Sequence, residues 1–171
     1  MAKLRKFVAY RRLERPFTRR SKYRKKSFVK HGGNNRIVRF NMGDVHGDFD
    51  VKFKLMADDA IQIRDNALES ARQVVLRRLE RTLGKGNFYF HVRVFPHHVL
   101  RENPLASGAG ADRMSTGMKC SFGKTIGVAA QVRRNQVIFE VSCKKNNAAL
   151  AKEAIKLAPS KLPCSCRVEM E

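Results

Sequence analysis

Asp65-Asn66-Ala67-Leu68-Glu69-Ser70-Ala71-Arg72-Gln73-Val74-Val75-Leu76-Arg77-Arg78-Leu79-Glu80-Arg81-Thr82-Leu83-Gly84 reads as one long amphipathic helix. Leu68, Ala71, Val75, Leu79 and Leu83 recur at three- and four-residue steps, which puts them on one face of a 3.6-residue period. Asp65 is the expected N-cap, the helix is expected to run to about Thr82, and Gly84 is the expected stop. Arg77, Arg78 and Arg81 crowd its last turns, where cations complement the helix dipole and remain available to phosphates.

On both sides of this helix the period changes to two. Upstream, Phe49, Val51, Phe53 and Leu55 alternate with Asp50, Lys52 and Lys54, the pattern of a half-buried strand. Residues 36–40 read as a shorter strand before it. Downstream, Phe88, Phe90, Val92 and Val94 share one face of a strand that Pro96 ends. Residues 126–132 and 136–143 read as a hairpin turning at Arg133-Arg134-Asn135. Asn146 or Asn147 is the expected cap of a second, shorter helix, with Leu150, Ala151, Ala154, Ile155 and Ala158 inward and Pro159 as its stop. Cys166–Met170 reads as a last strand. Strands and helices mix without regular βαβ alternation, so the expected class is α+β with two main helices.

Charge divides the chain. Thirty-six Lys and Arg stand against fifteen Asp and Glu, a formal net charge of +21 with a pI near 10.6. Fifteen of those cations and a single acid, Glu14, fall in residues 1–41. A domain with this charge repels itself unless a polyanion neutralises it, which points to nucleic acid, with anionic membrane as the rival. Gly32-Gly33-Asn34-Asn35 reads as the hinge, giving a basic arm over 1–35 and a single globular domain over 36–171.

Within the arm, Phe7, Tyr10, Phe17, Tyr23 and Phe28 punctuate Arg11, Arg12, Arg15, Arg19, Arg20, Lys22, Arg24, Lys25 and Lys26. Arginine forks suit bidentate phosphate contact, and the aromatic rings can either stack on unpaired bases or anchor the arm to its own domain. The arm is expected to order fully on meeting RNA. No sustained helical stripe marks a membrane-lying helix, no apolar run approaches the roughly 18 residues of a span, and no secretory signal is expected. A cytosolic protein with four free thiols, Cys120, Cys143, Cys164 and Cys166, is expected.

Catalytic and ligand motifs fail on spacing. Gly123-Lys124-Thr125 suggests a phosphate loop, but the position five before Gly123 is Met118, and Ile126-Gly127-Val128-Ala129 reads as strand rather than helix. Gly108-Ala109-Gly110 lacks a third glycine and a preceding strand. Cys164-Ser165-Cys166 lacks zinc-knuckle spacing and a second pair, so packed thiols are expected. His97 and His98 would point to opposite faces if extended. No cofactor or metal is expected, and an RNA-modifying enzyme would need a cofactor pocket or catalytic pair, of which the sequence gives no sign. A DNA-coating regulator shares the charge but gives no reason for residues 101–117, a long loop rich in Gly, Ala and Ser between Arg101, Arg113, Lys119 and Lys124.

Around that loop the sequence resembles a known family. Phe95-Pro96-His97-His98-Val99-Leu100-Arg101-Glu102-Asn103, Gly108-Ala109-Gly110-Ala111-Asp112-Arg113, Thr116-Gly117-Met118 and Phe122-Gly123-Lys124 resemble the large-subunit ribosomal protein family called L-ten-e in archaea and eukaryotes and L-sixteen in bacteria. Arg15-Pro16-Phe17-Thr18-Arg19-Arg20 is similar to its arm, and Arg36-Ile37-Val38-Arg39-Phe40-Asn41-Met42-Gly43 to its first strand. His31-Gly32-Gly33-Asn34-Asn35 departs from it in lacking a proline-containing turn.

The resemblance, archaeal in style, implies a hammerhead-type α+β fold with a mixed sheet. It implies a non-enzymatic ribosome-bound role at the base of the central protuberance, near the peptidyl transferase centre. The implied partners are large-subunit ribosomal RNA, tRNA and neighbouring ribosomal proteins, with no membrane and no homo-oligomer. On this reading Arg11, Arg12, Arg15, Arg19, Arg20, Lys22, Arg24, Lys25, Lys26, Arg77, Arg78 and Arg81 bind ribosomal RNA. Arg101, Asn103, Ser107, Gly108, Gly110, Asp112, Arg113, Lys119 and Lys124 face tRNA.

Overall fold

The long helix forms where its apolar stripe requires it. In the computed structural model, which describes residues 4–14, 16, 35–103 and 123–171, helix α1 spans Asp65–Leu83 and buries Leu68, Ala71, Val75, Leu79 and Leu83. Gly84 ends it with φ +78, its N–H donating to Glu80 O at 3.1 Å. The N-terminus differs from the expectation by one residue. Arg64 holds the cap position without a side-chain bond, and Asp65 is the first helical residue. The Asp65 carboxylate accepts instead from the backbone N–H of Asn66 and, through Oδ2, from that of Arg36 at 3.1 Å. It thereby ties the incoming segment to the helix start.

Among the described residues eight strands form two sheets, with every pairing antiparallel where a mixed sheet was expected. The strands are β1 (Asn41–Gly43), β2 (Val51–Ala57), β3 (Ile61–Arg64), β4 (Phe88–Val92), β5 (His98–Glu102), β6 (Lys124–Val132), β7 (Val137–Cys143) and β8 (Cys166–Met170). The large sheet has the order β1-β4-β7-β2-β8 and the small sheet β3-β6-β5. A second helix, α2 (Ala148–Ile155), packs with α1 against the large sheet.

Register places the apolar residues on one side. Phe53 lies opposite Val141 and Leu55 opposite Phe139, while Phe90 and Val92 flank the same two β7 residues from β4. All six are buried. Each such side chain withdrawn from water contributes on the order of 1.5–3 kcal/mol, which is why the alternating strands must face the helices. The opposite face carries Tyr89, His91 and Arg93 on or just past β4, and Lys52 and Lys54 on β2.

Several elements differ from the sequence reading. Residues 36–40 form no ladder: β1 begins at Asn41, although Phe40 O still accepts from Val92 N–H at 2.9 Å. Gly43 closes β1. Its φ is +84, and a Cβ there would lie 2.1 Å from Phe88 O, so the backbones approach as only glycine permits. β4 stops at Val92, before the expected Phe95, though Val94 is buried. Strand β3 was not expected, because Ile61-Gln62-Ile63 is buried throughout and too short to show a period.

The expected hairpin at 133–135 is instead a crossing between sheets. β6 pairs with β3 and β5, whereas β7 pairs with β2 and β4. Asn135, at φ +63, donates its N–H to Ala57 O at 2.8 Å, and Gln136 O accepts from Ala57 N–H at 3.0 Å. These two bonds dock the turn on the end of β2 and steer the chain into the large sheet. In α2, Ala151, Ala154 and Ile155 are inward as expected, but Leu150 is outward. Asn147 holds the cap position without a side-chain bond, and the helix ends at Ile155, with Ala158 buried in a following 3-10 turn.

Candidate nucleic-acid interface

The small sheet builds the first part of the candidate surface. Its inner face, with Ile61, Ile63, Ala130 and Val132, joins the main core. Its outer face is covered by residues of the N-terminal segment. A 3-10 turn at Phe7–Tyr10 brings Tyr10 down onto Leu100 and Ala129, and the tyrosine is 7% exposed. Tyr10 Oη donates to Glu102 Oε1 at 2.9 Å and accepts from Arg5 N–H at 3.0 Å, while Arg5 Nη2 lies 2.8 Å from Glu102 Oε2. Burial, reinforced by the Glu102 carboxylate, pushes the Tyr10 hydroxyl pKa upward, so the phenol keeps its proton and remains a donor.

The same segment is held by backbone. Gln62 N–H donates to Arg11 O at 3.2 Å, and Gln62 Nε2 donates to Tyr10 O at 3.0 Å and to Arg12 O. Gln131 Nε2 donates to Glu14 O at 2.7 Å. Glu14 Oε1 lies 3.4 Å from Nε2 of buried His98, whose pKa is lowered by burial against the opposing pull of Glu14. Residues 5–14 therefore lie against the domain, and Tyr10 anchors them. Arg11 and Arg12 have fixed carbonyls and exposed side chains. Cations on a pinned backbone lose less conformational entropy on meeting phosphate than cations on a loose chain.

The β5–β6 ladder is open at the end where the chain passes into and returns from residues 104–122, which lie outside the described residues. Glu102 and Lys124 are register partners, so the chain leaves and returns across one strand pair. The ladder shifts register between Leu100 and Arg101. Here the expected boundary is corrected: Arg101 and Glu102 belong to β5 and are buried, while residues 104–117 of the expected loop lie outside the described residues. Arg101, at 9% exposed, lies within β5. Asn103 is half-buried at the loop entrance, and Lys124 is exposed at the first position of β6. Ser107, Gly108, Gly110, Asp112, Arg113 and Lys119 lie outside the described residues, as do Arg15, Arg19, Arg20, Lys22, Arg24, Lys25 and Lys26.

Helix α1 builds the second part. Arg77 and Arg81 are exposed one turn apart, and among the described residues neither makes an ion pair. Arg78 is exposed too, with Nη2 3.4 Å from Glu153 Oε2 on α2, a contact weak enough to yield to phosphate. Arg72, on the same helix, is spent internally: its guanidinium pairs with Glu69, holding that carboxyl below its usual range, and reaches Met42 Sδ. The structure thus separates the helix arginines into one that packs and three that face outward.

No described cluster of three or more His, Cys, Asp or Glu could hold a metal ion. Cys164 and Cys166 lie with their Sγ atoms 3.6 Å apart, and the hydrogen bond between them lowers one thiol pKa and raises the other. No described helix is long and apolar enough to cross a membrane. Sequence reasoning missed Arg5, Gln62, His98 and Glu102 as anchors. Tyr10 and Phe7, which packs against the main core, were signalled through the anchoring role open to the arm's aromatics.

Fold and surface together define a basic α+β protein suited to a polyanionic partner, with its cations on a docked segment, a helix face and a loop base. The chain belongs to the ribosomal protein L16p/L10e family, whose profile matches residues 18–169. That family is structural and ribosomal rather than enzymatic. The chain is 44% identical over 146 residues to "Large ribosomal subunit protein uL16" of Staphylothermus marinus, covering 85% of this chain and 84% of that protein. It is 41% identical over 162 residues to the uL16 of Archaeoglobus fulgidus, covering 95% and 90%. The uL16 of Methanococcus aeolicus is 42% identical over 165 residues, covering 96% and 92%.

Proposed function

We propose that this chain is a structural constituent of the large ribosomal subunit that binds ribosomal RNA through its basic arm, residues 1–35, and through Arg77, Arg78 and Arg81. The observation that carries the reading is the concentration of fifteen cations and one acid in residues 1–41 of a chain whose relatives are large-subunit proteins. Lys and Arg neutralise phosphates and release counterions, so log affinity falls with log salt by about 0.7–0.9 per phosphate contacted. Recognition is of RNA shape, 2′-hydroxyls and splayed bases.

On the same reading the fold is of the hammerhead type and sits at the base of the central protuberance. The loop between Asn103 and Gly123 faces the aminoacyl and peptidyl tRNAs and helps shape their cleft. Two features support this: the β5–β6 ladder gives the loop a fixed base, and exposed Lys124 stands at its return. The protein is ribosome-bound in the cytoplasm, beside ribosomal RNA, tRNA and other ribosomal proteins, without self-association.

Sedimentation of tagged protein after a high-salt wash tests the reading. About one copy per large subunit is expected; protein found mainly free or on DNA would overturn it. Deleting residues 105–116, which spares the Glu102 anchor, should leave assembly intact and impair tRNA accommodation. Ribosomes of unchanged translation rate would remove the loop from that role.

A further inference from the structure

The passage from β4 to β5 carries a feature that neither the fold nor the anchoring of residues 5–14 uses. Phe40 and Phe95 stack with ring centroids 5.3 Å apart and planes 25° from parallel. His97 continues the series at 4.5 Å from Phe95, tilted by 45°. Phe95 remains 45% exposed, and His97 is exposed. The two rings lie side by side at the surface, whereas the phenylalanines of the core are almost wholly buried.

The setting of these rings identifies what would cover them. The bond from Val92 N–H to Phe40 O brings the two segments together, so Arg39 and Arg93, the next residue along each segment, stand at the same end of the pair. Both arginines are exposed, and Arg93 holds Glu140 only at 3.6 Å. Residues 36–40 and 93–98 contain three arginines and no carboxylate. The backbone is fixed as well: Pro96 sits between the two outer rings, and His97 N–H donates to Phe95 O at 2.9 Å. Exposed, ordered aromatic rings beside exposed arginines, with Glu140 held only loosely by Arg93, form a surface complementary to a base attached to phosphate, and not to an apolar protein helix.

We propose that Phe95 and His97, with Arg39 and Arg93 beside them, form a stacking site for an unpaired nucleobase of RNA. The base is taken by its π-face, so the site discriminates single-stranded from paired RNA more than one base from another. The proposal rests on the RNA-binding reading above and adds a position and a mode to it.

The test uses the full chain with a mixed-sequence single-stranded RNA containing 2-aminopurine, whose fluorescence falls on stacking, and the same RNA annealed into a duplex. The wild type should quench the single strand. Phe95→Leu keeps apolar bulk and removes the π-face; it should abolish the quenching and weaken single-strand binding by roughly five- to a hundredfold, with the salt slope unchanged. Arg77→Ala/Arg81→Ala should lower the salt slope and leave quenching at saturation intact. Retained quenching and affinity in Phe95→Leu would overturn the stacking site while leaving RNA binding in place. Loss of attachment to other ribosomal proteins by Phe95→Leu, with its RNA quenching unchanged, would equally overturn it and assign the rings to a protein neighbour. A wild type that binds neither RNA would overturn the RNA-binding reading and the site together.

Discussion

Tyr10 and Glu102, ninety-two positions apart, are joined by a buried hydrogen bond of 2.9 Å from the phenol to the carboxylate. One residue belongs to the basic N-terminal segment and the other to the last position of β5, where the long loop departs. The N-terminal segment is thus attached to β5 through this pair, which Arg5 closes as a triad, and through the contact of Glu14 with His98.

Replacing Tyr10 with Phe deprives the Glu102 carboxylate of its phenolic donor while leaving the ring in place. A hydrogen bond to a charged group is worth about 1.5–3 kcal/mol, less here because Arg5 still pairs with Glu102. A loss of about 1–2 kcal/mol in urea unfolding is expected, with faster proteolytic cleavage within the first thirty or so residues. Unchanged cleavage would show that the remaining contacts of Gln62, Gln131, His98 and Arg5 hold the segment without the phenol.

Gly43→Ala should be among the most damaging single-methyl additions. The position combines φ +84 with a Cβ site 2.1 Å from Phe88 O, so β1 must move off β4. A destabilisation of roughly 1–3 kcal/mol is expected for such backbone strain. Thermal melting of the variant beside Gly86→Ala, which also has positive φ but meets nothing within 4 Å, separates strain of conformation from collision.

Leu79→Ala and Leu150→Ala test which leucines the core uses. Leu79 is wholly buried, and its truncation should cost about 2–5 kcal/mol. Leu150 is 38% exposed, and its truncation should cost about 0.5 kcal/mol or less. Equal losses in chemical denaturation would contradict the outward position of Leu150.

Stability should fall in mild acid. Burial holds His98 and His91 below the ordinary histidine value of 6.5 in the folded state, so the unfolded chain binds more protons there. Their contribution is complete above about pH 6.5 and is lost as pH falls through the folded values. His98→Gln should flatten the pH dependence of the unfolding midpoint between about pH 7 and 5. An unaltered slope would assign it to other groups.

Arg77→Ala/Arg81→Ala should leave unfolding unchanged, since neither side chain packs or pairs among the described residues. The slope of log affinity for ribosomal RNA against log salt should fall in magnitude by about 0.7–0.9 for each phosphate contact removed. An unchanged slope would place the RNA elsewhere.

The amino-acid sequence alone determined the elements with a clean period and the overall charge. Leu68 through Leu83 could bury only as a helix, and Phe53 and Leu55 only as one face of a strand, because those spacings leave no other way to withdraw them from water. The α+β class and a polyanionic partner were legible for the same reason, and the motif around the long loop marked the family that the profile match establishes. The tertiary structure decided what depends on a distant partner. Ile61-Gln62-Ile63 is a strand because β6 pairs with it while the main core and the N-terminal segment cover its two faces. β6 and β7 part at Asn135 because Ala57 offers both backbone bonds there. Arg101 and Glu102 left the loop for a strand, and Glu102 found Tyr10, because pairing and burial are settled by neighbours that local periodicity does not encode.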